Sequence, residues 1–235
     1  MRFRLLFLGA ITCLAAGCGS TPQAAQTPTA TVPAPPATTG IPVSPSPMAL
    51  TVFRVDNGLL RPSVGRVPRT TAVATAALGL LGLRADVSID AGTAKVALDH
   101  ATQDQQAEVV YTLTQFATIR RVDIAGRTGL TRDDFAAYVP PILVETPAAG
   151  AVVPPTFHVS GTASVFEATL VVQLVRNRKV NAKRTVTASE GAPGRGTFDT
   201  TLTAEPGEVT VAAFAPSAAN GTPQHEVDVS VTVKR

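Results

Sequence analysis

Hydrophobic and polar residues alternate with a period of two along the C-terminal part of the chain. In residues 225–233 (HEVDVSVTV), every second position from Val227 onwards is valine, which is typical of a strand with one buried and one exposed face. Similar runs, separated by Gly, Pro or Asn-Gly, are ILVET, TFHVSG, ATLVVQLV, VNAKRTVTA, GTFDTTLTA and EVTVAAFA. About seven short strands in fewer than about a hundred residues favour an immunoglobulin-like β-sandwich over residues 141–235.

The preceding part, residues 48–140, has a mixed pattern. Residues 69–81 are rich in alanine and leucine and predict a helix. Residues 102–119 predict the longest helix, because Thr102 and Gln105 have the spacing of a capping box and apolar residues fall on one face.

Short β-rich runs lie around these helices. LTVFRV (50–55) and IRRVDI (119–124) predict strands, and two alternating runs on either side of Asp90-Ala91-Gly92 predict a hairpin. TRDDFAAYV predicts a short helix that begins at Thr131. The order β-α-β-β-α-β-α predicts a small mixed α/β sheet with helices on one side. With the β-sandwich, the chain is predicted to be α+β, divided at Pro140-Pro141.

The N-terminus has the pattern of an export signal. Arg2 and Arg4 precede a short apolar run, too short for the roughly 20 residues of a membrane span. The sequence LAAGC, ending at Cys18, resembles a bacterial lipobox, in which the cysteine thiol receives a lipid and becomes the first residue of the mature chain. Residues 1–17 are therefore predicted to be a signal peptide, and the protein to be extracytoplasmic and anchored to the membrane by its N-terminal lipid.

Residues 18–47 contain no charged side chain and are rich in Pro, Thr and Ala. Such a composition cannot form a core and predicts a semi-rigid spacer between the anchor and the folded part.

Cysteine usage and charge exclude several classes of protein. The only other cysteine, Cys13, lies in the signal peptide, so the mature chain cannot form an internal disulfide or a site of several thiolates. The formal net charge is +3, and removal of Arg2 and Arg4 leaves it near +1. That balance, together with the absence of Trp, argues against a nucleic-acid partner.

Candidate catalytic residues are few and scattered. The three histidines, His100, His158 and His225, have no partners at metal-ligand spacing, and His158 alternates with apolar residues as if on the exposed face of a strand. Asp133 and Asp134 are expected in the first turn of a helix, where carboxylates favour the helix dipole. Glu167 is a lone acid, better suited to accepting hydrogen bonds than to general acid catalysis. We therefore expect no catalytic or metal site, no cofactor and no enzymatic activity.

The densest charge run of the mature chain is RNRKVNAKR, residues 176–184. It contains five basic residues and no acid: Arg176, Arg178, Lys179, Lys183 and Arg184. The run lies between two strand patterns and is predicted to form a hairpin loop and its flanks. Its charges either discourage edge-to-edge strand pairing or contact an anionic surface of wall polymer, lipid or an acidic partner.

Two segments resemble known bacterial modules. VVYTLTQFATIRRVDIAGRTGLTRDDF (109–135) resembles the end of a GerMN domain, first described in spore germination protein M. ILVETPAAGAVVPPTFHVSGTASVFEATLVVQLV (142–175) resembles the immunoglobulin-like domain that often follows GerMN in bacterial lipoproteins. The resemblance implies a cell-envelope lipoprotein of structural or interaction type. One departure is that residues 81–84 directly join two elements that family members connect by a longer segment.

Three functions are compatible with this pattern. The first is a tethered module that binds another envelope protein or itself, in sporulation, germination or envelope assembly. The second is a binder of cell-wall glycan or anionic polymer, and the third an envelope hydrolase. The lack of paired acids and metal ligands favours the first.

Overall fold

The structure is a computed structural model that describes residues 46–235. The predicted signal peptide, Cys18 and nearly all of the predicted spacer lie outside the described residues, so those predictions are not tested by it. Within the described range, no helix is both long and apolar enough to cross a membrane.

The first part contains six strands, two α-helices and a 3-10 helix. Its elements are β1 (Met48–Asp56), β2 (Leu59–Val67), α1 (Val73–Leu80), β3 (Val87–Asp90), β4 (Thr93–Val96), α2 (Gln103–Leu113), β5 (Arg121–Ile124), β6 (Arg127–Leu130) and the 3-10 helix Arg132–Tyr138. Strands β1 and β2 form an antiparallel pair, and the other four form a sheet of order β3-β4-β5-β6 in which β4 and β5 run parallel.

Three hairpins of this part share one turn chemistry. Each turn consists of a residue and a following glycine that both have positive φ: Asn57-Gly58, Ala91-Gly92 and Ala125-Gly126. Turns of this kind match the twist of the strands that they join. Only the turn at Ala91-Gly92 was predicted, so strands β2 and β6 are additional to the expected order. Pro62 and Gly65 within β2 obscure its strand pattern.

Both α-helices are present but shorter than predicted. Thr102 Oγ1 accepts a hydrogen bond from the Gln105 N–H at 3.2 Å, and Gln105 Oε1 accepts one from the Thr102 N–H at 2.9 Å, so the predicted capping box is confirmed. Helix α2 ends at Leu113 rather than at residue 119, because the chain turns at 114–118 before entering β5. The predicted helix over 69–81 is shorter and spans Val73–Leu80.

The short connection after α1 is a helix C-cap. The Leu83 N–H bonds the Leu78 carbonyl at 3.0 Å, and the N–H of Gly82, which has a φ of 82°, bonds the Gly79 carbonyl at 3.0 Å. These two bonds form a Schellman motif, in which glycine adopts the left-handed conformation at low cost. Leu81 and Leu83 are buried in the first core. The shortened segment therefore ends the helix and contributes to packing.

The second part is built from strands. They are β7 (Ile142–Thr146), β8 (Val152–Val153), β9 (Thr156–Ala163), β10 (Thr169–Arg176), β11 (Lys179–Thr187), β12 (Gly196–Thr203), β13 (Gly207–Pro216) and β14 (Pro223–Val233). One sheet has the order β11-β10-β13-β14-β8 and the other β12-β9-β7. All seven predicted strands are present, and the two-residue β8 is additional.

Residues from both sheets form one hydrophobic cluster. Val229, Val231 and Val233 of β14 are buried in it, as the alternation predicted, and Val227 packs against its margin. The described chain is thus mostly β with few helices, which agrees with the α+β prediction only loosely.

A separate hydrophobic cluster fills the first part, and β7 lies between the two. The side chains of Ile142 and Val144 belong to the cluster of the second part, whereas Leu143, which is 2% exposed, belongs to that of the first. Alternation along a strand places neighbouring side chains on opposite faces, so β7 contributes to both cores. The described residues, 46–235, form one compact unit, and the domain division at residue 140 stays a prediction.

Candidate functional site

The predicted basic cluster is centred on a two-residue hairpin turn. Asn177 and Arg178 have φ values of 50° and 62° and join β10 to β11. This is the arrangement in which both central residues adopt the left-handed conformation. The expected hairpin is therefore present.

The five basic residues do not share one surface. Arg176 and Lys179 are paired across the hairpin, and Arg184 is paired with the buried Val172, so these side chains belong to the core-facing side of the sheet. Lys183 is paired with Gln173 and belongs to the outer side. The irregular register between positions 174 and 175 separates Lys179 from Lys183.

Arg176 has a structural role that the sequence does not reveal. Its guanidinium donates hydrogen bonds to the carbonyl oxygens of Glu205 at 2.6 Å and Pro206 at 3.3 Å, in the connection between β12 and β13. The other four basic residues are exposed, and none forms an ion pair with a residue in the described range. Arg178 lies in the turn, and the other three lie on the edge strand β11, so their charges lie where strand addition would otherwise occur.

The candidate catalytic residues occupy separate positions. His158 is exposed on β9, and its Nδ1 lies 3.2 Å from the Asp199 carboxylate on β12. His100 is exposed in the connection between β4 and α2, and His225 is exposed on β14. Within residues 46–235, no three His, Cys, Asp or Glu side chains come together as metal ligands.

The acidic pair opens the 3-10 helix as predicted. The Asp134 carboxylate accepts hydrogen bonds from the Thr131 N–H at 2.8 Å and from the Thr131 hydroxyl at 3.1 Å. The bond from the backbone N–H, followed by the bond from the hydroxyl, lowers the pKa of Asp134. Asp133 is exposed in the same turn. Asp134 therefore caps the 3-10 helix, and Asp133 is an exposed residue of its first turn.

Glu167 lies at a strained corner. Glu167 and Ala168 both have positive φ values, 52° and 55°, in the short turn that precedes β10. The Glu167 side chain is exposed, and the neighbouring Phe166 is 68% exposed. The expected role of Glu167 as a hydrogen-bond acceptor is met only by its backbone carbonyl, which accepts a bond from the Thr169 hydroxyl at 3.1 Å.

The most developed polar site lies where the two parts meet, and the sequence analysis did not identify it. Arg132, the first residue of the 3-10 helix, donates from Nη1 to both carboxylate oxygens of Glu145 on β7, each at 3.0 Å. Its Nε donates to Thr114 Oγ1 at 3.0 Å. The two charged side chains are 29% and 22% exposed. We call this pair the junction clasp.

Aromatic rings complete the clasp. The Arg132 guanidinium carbon lies 4.7 Å from the Tyr111 ring centre and 5.6 Å from that of Phe53. Burial raises the pKa of the Tyr111 hydroxyl, an effect partly offset by the positive charge of Arg132. Arginine is suited to such a site because its planar group both stacks on rings and binds carboxylate in two places.

A second arginine supports the junction. Arg195, on the connection that enters β12, donates to the Pro140 carbonyl at 2.8 Å and to Thr162 Oγ1 at 3.2 Å. Burial lowers the pKa of Arg195 below its usual range. The backbone at the predicted boundary is thus bound by one side chain of the second part.

A polar cleft of about 670 Å³ opens beside the clasp. Its walls include Arg132, Glu145 and Gln115, and Gln115 Nε2 donates to the Thr51 and Thr112 carbonyls. These groups already have protein partners. The cleft is therefore the outer surface of a structural junction.

No sequence pattern marks the clasp. Arg132 precedes two aspartates and looks like one more charged residue at a helix start, and Glu145 looks like the exposed position of a short strand. Only the packing of α2, the 3-10 helix and β7 brings the two side chains within bonding distance.

Comparison with known proteins bears on the second part. Residues 141–222 match the family model described as the immunoglobulin-like domain of bacterial spore germination. The resemblance of residues 142–175 is therefore confirmed. No curated protein matches the chain significantly.

Two solved structures are similar at a low level. The tandem GerMN domains of the sporulation protein GerM from Bacillus subtilis are 16% identical, with a TM-score of 0.31, and the match covers 81% of this chain and 62% of that one. An engineered protein from a structural genomics consortium is 20% identical, with a TM-score of 0.30, and the match covers 48% of this chain and 25% of that one. The match spans about three fifths of the first structure and a quarter of the second.

Proposed function

We propose, from the match of residues 141–222 to the immunoglobulin-like domain of bacterial spore germination, that this chain is a non-enzymatic protein-interaction module of the cell envelope. It acts in sporulation, germination or envelope assembly. Lipid on Cys18 anchors it to the membrane, residues 18–47 separate the folded part from the bilayer, and the immunoglobulin-like part is a β-sandwich. Its partner is another envelope protein or a second copy of the chain.

The use of polar groups in the folded part supports this proposal. Among the described residues, no buried side-chain nitrogen or oxygen lacks a hydrogen-bond partner. Arg132, Glu145 and Arg195 are all engaged in joining the two parts. Groups held in this way give rigidity, and a rigid unit presents its outer surfaces in a fixed arrangement, which lowers the entropy cost of binding a partner.

The test is capture of a partner from the envelope. Cells that produce the whole chain are cross-linked, the chain is purified in detergent, and co-purifying proteins are identified. We expect one or a few envelope proteins that are enriched over a sample from cells producing Cys18→Ala, which we expect to leave the membrane. Hydrolysis of purified cell-wall material by the chain would overturn the non-enzymatic proposal, and the absence of any specific cross-link would overturn the interaction proposal.

A second candidate function is contact with an anionic surface. It is favoured by four exposed basic residues without ionic partners in the described range: Arg178, Lys179, Lys183 and Arg184. Each basic residue near an anionic membrane contributes about 1 kcal/mol, within a Debye length of about 8 Å at physiological salt. The division of these residues between two sides of β11 limits how many can reach a flat surface at once.

Charge reversal tests this second candidate. We expect weak, salt-sensitive binding of the chain to anionic vesicles or wall polymer, reduced in the double variant Arg178→Glu with Lys179→Glu. The matched control is Arg66→Glu with Arg69→Glu, which changes the net charge equally at exposed positions of the first part. Equal binding by both double variants, or binding that is the same at low and high salt, would exclude a specific role for the hairpin.

A further inference from the structure

The four-stranded sheet of the first part ends on a strand that lacks the usual protection. Strand β3 (Val87–Asp90) is at one edge of the order β3-β4-β5-β6, and none of the described residues pairs with its outer side. Its sequence, VSID, contains no proline or lysine, and its pairing with β4 shows no bulge. Exposed edges without such features can accept another strand.

Two other edge strands, β6 and β11, carry features that oppose strand addition. At β6, the Gly129 N–H donates to Asp123 Oδ1 at 2.7 Å. At β11, the exposed side chains of Lys179, Lys183 and Arg184 and an irregular register oppose pairing. Strand β3 has neither of these features.

A groove accompanies this edge. A cavity of about 310 Å³ lies beside β3, with Val87 and Ile89 on one wall. The opposite walls are formed by residues 71–75, at the start of α1, and by Phe116, Thr118 and Ile119 after α2. Val87 and Ile89 are two positions apart and share a face of the strand, and Ile89 is 50% exposed. The edge strand thus has an apolar recess on one side.

The other side of β3 is acidic. Asp86, Ser88 and Asp90 alternate with the two apolar residues, and all three are exposed. Asp90 lies 3.5 Å from Lys95, so part of its charge is balanced, and no described cation lies within ion-pair distance of Asp86. A strand added at this edge would meet apolar walls on one side and carboxylates on the other.

We propose that the β3 edge and its groove bind an extended segment of a partner protein in which apolar and basic residues alternate. The segment adds to the sheet as a further strand, its backbone groups pair with those of β3, its apolar side chains enter the groove, and its basic side chains face Asp86 and Asp90. This is the β-augmentation mode of recognition, in which backbone bonds give affinity and alternate side chains give specificity. The inference rests on the proposed protein-binding function and specifies the chemistry of the partner.

Two other occupants fit less well. The chain's own segment 18–47 has no basic residue and eight prolines, which cannot donate to a strand ladder. A second copy that paired β3 with β3 would bring Asp86 and Asp90 of both chains together, and facing like charges destabilise a strand pair.

The experiment uses labelled peptides and the whole chain purified in mild detergent. The probes are a peptide of alternating valine and lysine, the same peptide with its central valine replaced by proline, and a peptide of alternating valine and glutamate. Binding is measured by fluorescence anisotropy. We expect the valine–lysine peptide to bind at least about tenfold more tightly than each of the other two. Only that peptide can both form backbone hydrogen bonds along β3 and present positive charges to Asp86 and Asp90.

Two matched variants locate the site. Ile89→Arg places a cation at the mouth of the groove and is expected to weaken binding at least about tenfold. Val152→Arg changes a valine of similar exposure, 53%, on β8 of the second part and is expected to leave binding unchanged. Both positions are half-exposed, so both variants are expected to fold, which circular dichroism checks. The peptide comparison on the unaltered chain needs no variant.

The outcomes are separable. Equal binding of the proline peptide and its parent, or equal binding by Ile89→Arg and the unaltered chain, overturns the proposed edge site. If Ile89→Arg instead dissociates an oligomer of the chain in analytical ultracentrifugation, the occupant is a second copy and the proposal is wrong. If the envelope cross-link persists in Ile89→Arg while peptides fail to bind, the inference fails and the proposed function stands. If the peptides bind as expected but no envelope protein is cross-linked to the chain, the edge site stands and the proposed function fails.

Discussion

Replacement of Arg132 by alanine tests whether the junction clasp holds the folded part together. The substitution removes two hydrogen bonds to Glu145, one to Thr114 and the stacking on two aromatic rings. It also leaves the Glu145 carboxylate, which is 22% exposed, without its cation. Loss of one partner from a buried pair costs about 3–5 kcal/mol and from an exposed pair less than about 1 kcal/mol. For this partly buried pair we expect a loss of about 3 kcal/mol.

The assay is thermal and chemical unfolding of the whole chain in detergent, followed by circular dichroism. For a folded part of this size, the expected loss lowers Tm by roughly 6–12 °C. Arg132→Lys keeps the charge but not the planar fork, and is expected to cost about half as much. We also expect faster proteolysis near residues 139–142 in Arg132→Ala, because the junction loses its main polar tie.

A double-mutant cycle with Glu145→Gln isolates the pair itself. We expect a coupling energy of about 1–2 kcal/mol between Arg132 and Glu145, within the range for residues in direct contact. The control is Arg61→Ala, which removes an exposed ion pair to Asp56 and is expected to cost less than about 1 kcal/mol. A loss below about 0.5 kcal/mol for Arg132→Ala, or no measurable coupling, would refute the role assigned to the clasp.

Three further predictions concern single positions. A Cβ at Gly161 would lie 1.9 Å from a β7 carbonyl oxygen, so Gly161→Ala is expected to destabilise the fold by more than about 2 kcal/mol. Gly79 lies on α1 with open space around its Cα, so Gly79→Ala is expected to stabilise the fold by about 0.5–1 kcal/mol. Equal unfolding midpoints for the two variants would contradict this prediction. Burial raises the pKa of Glu108 above its usual 4.5, although a β1 N–H bonds its carboxylate, so stability should fall as pH rises from about 4.5 through the folded-state pKa. Glu108→Gln should remove this decrease of the unfolding free energy with pH, measured by denaturation at several pH values. An unchanged decrease in the variant would contradict the role given to Glu108. Cys18→Ala is expected to abolish lipid attachment, so a cleaved chain that still partitions into the detergent phase would show the lipobox interpretation to be wrong.

Local patterns predicted most of the elements of the fold. Strands of the second part can be predicted from period-two alternation, because every second side chain faces the core and must be apolar. The α2 capping box can also be predicted from the sequence, because both of its residues lie within one helical turn. Strands β2 and β6 were missed because β2 contains Pro62 and Gly65 and because β6 is short and mostly exposed.

By itself, the sequence therefore determined most of the strands and helices, the resemblance to an immunoglobulin-like germination domain, and the exclusion of thiolate sites. The tertiary structure decided which residues of different elements lie in contact. It divided the basic cluster between two sides of β11, engaged Arg176 with two carbonyls, and brought Arg132 to Glu145 across the junction. Such contacts join residues from different elements, and their geometry depends on how those elements pack. A single sequence records the residue types at each position but not the distances between them.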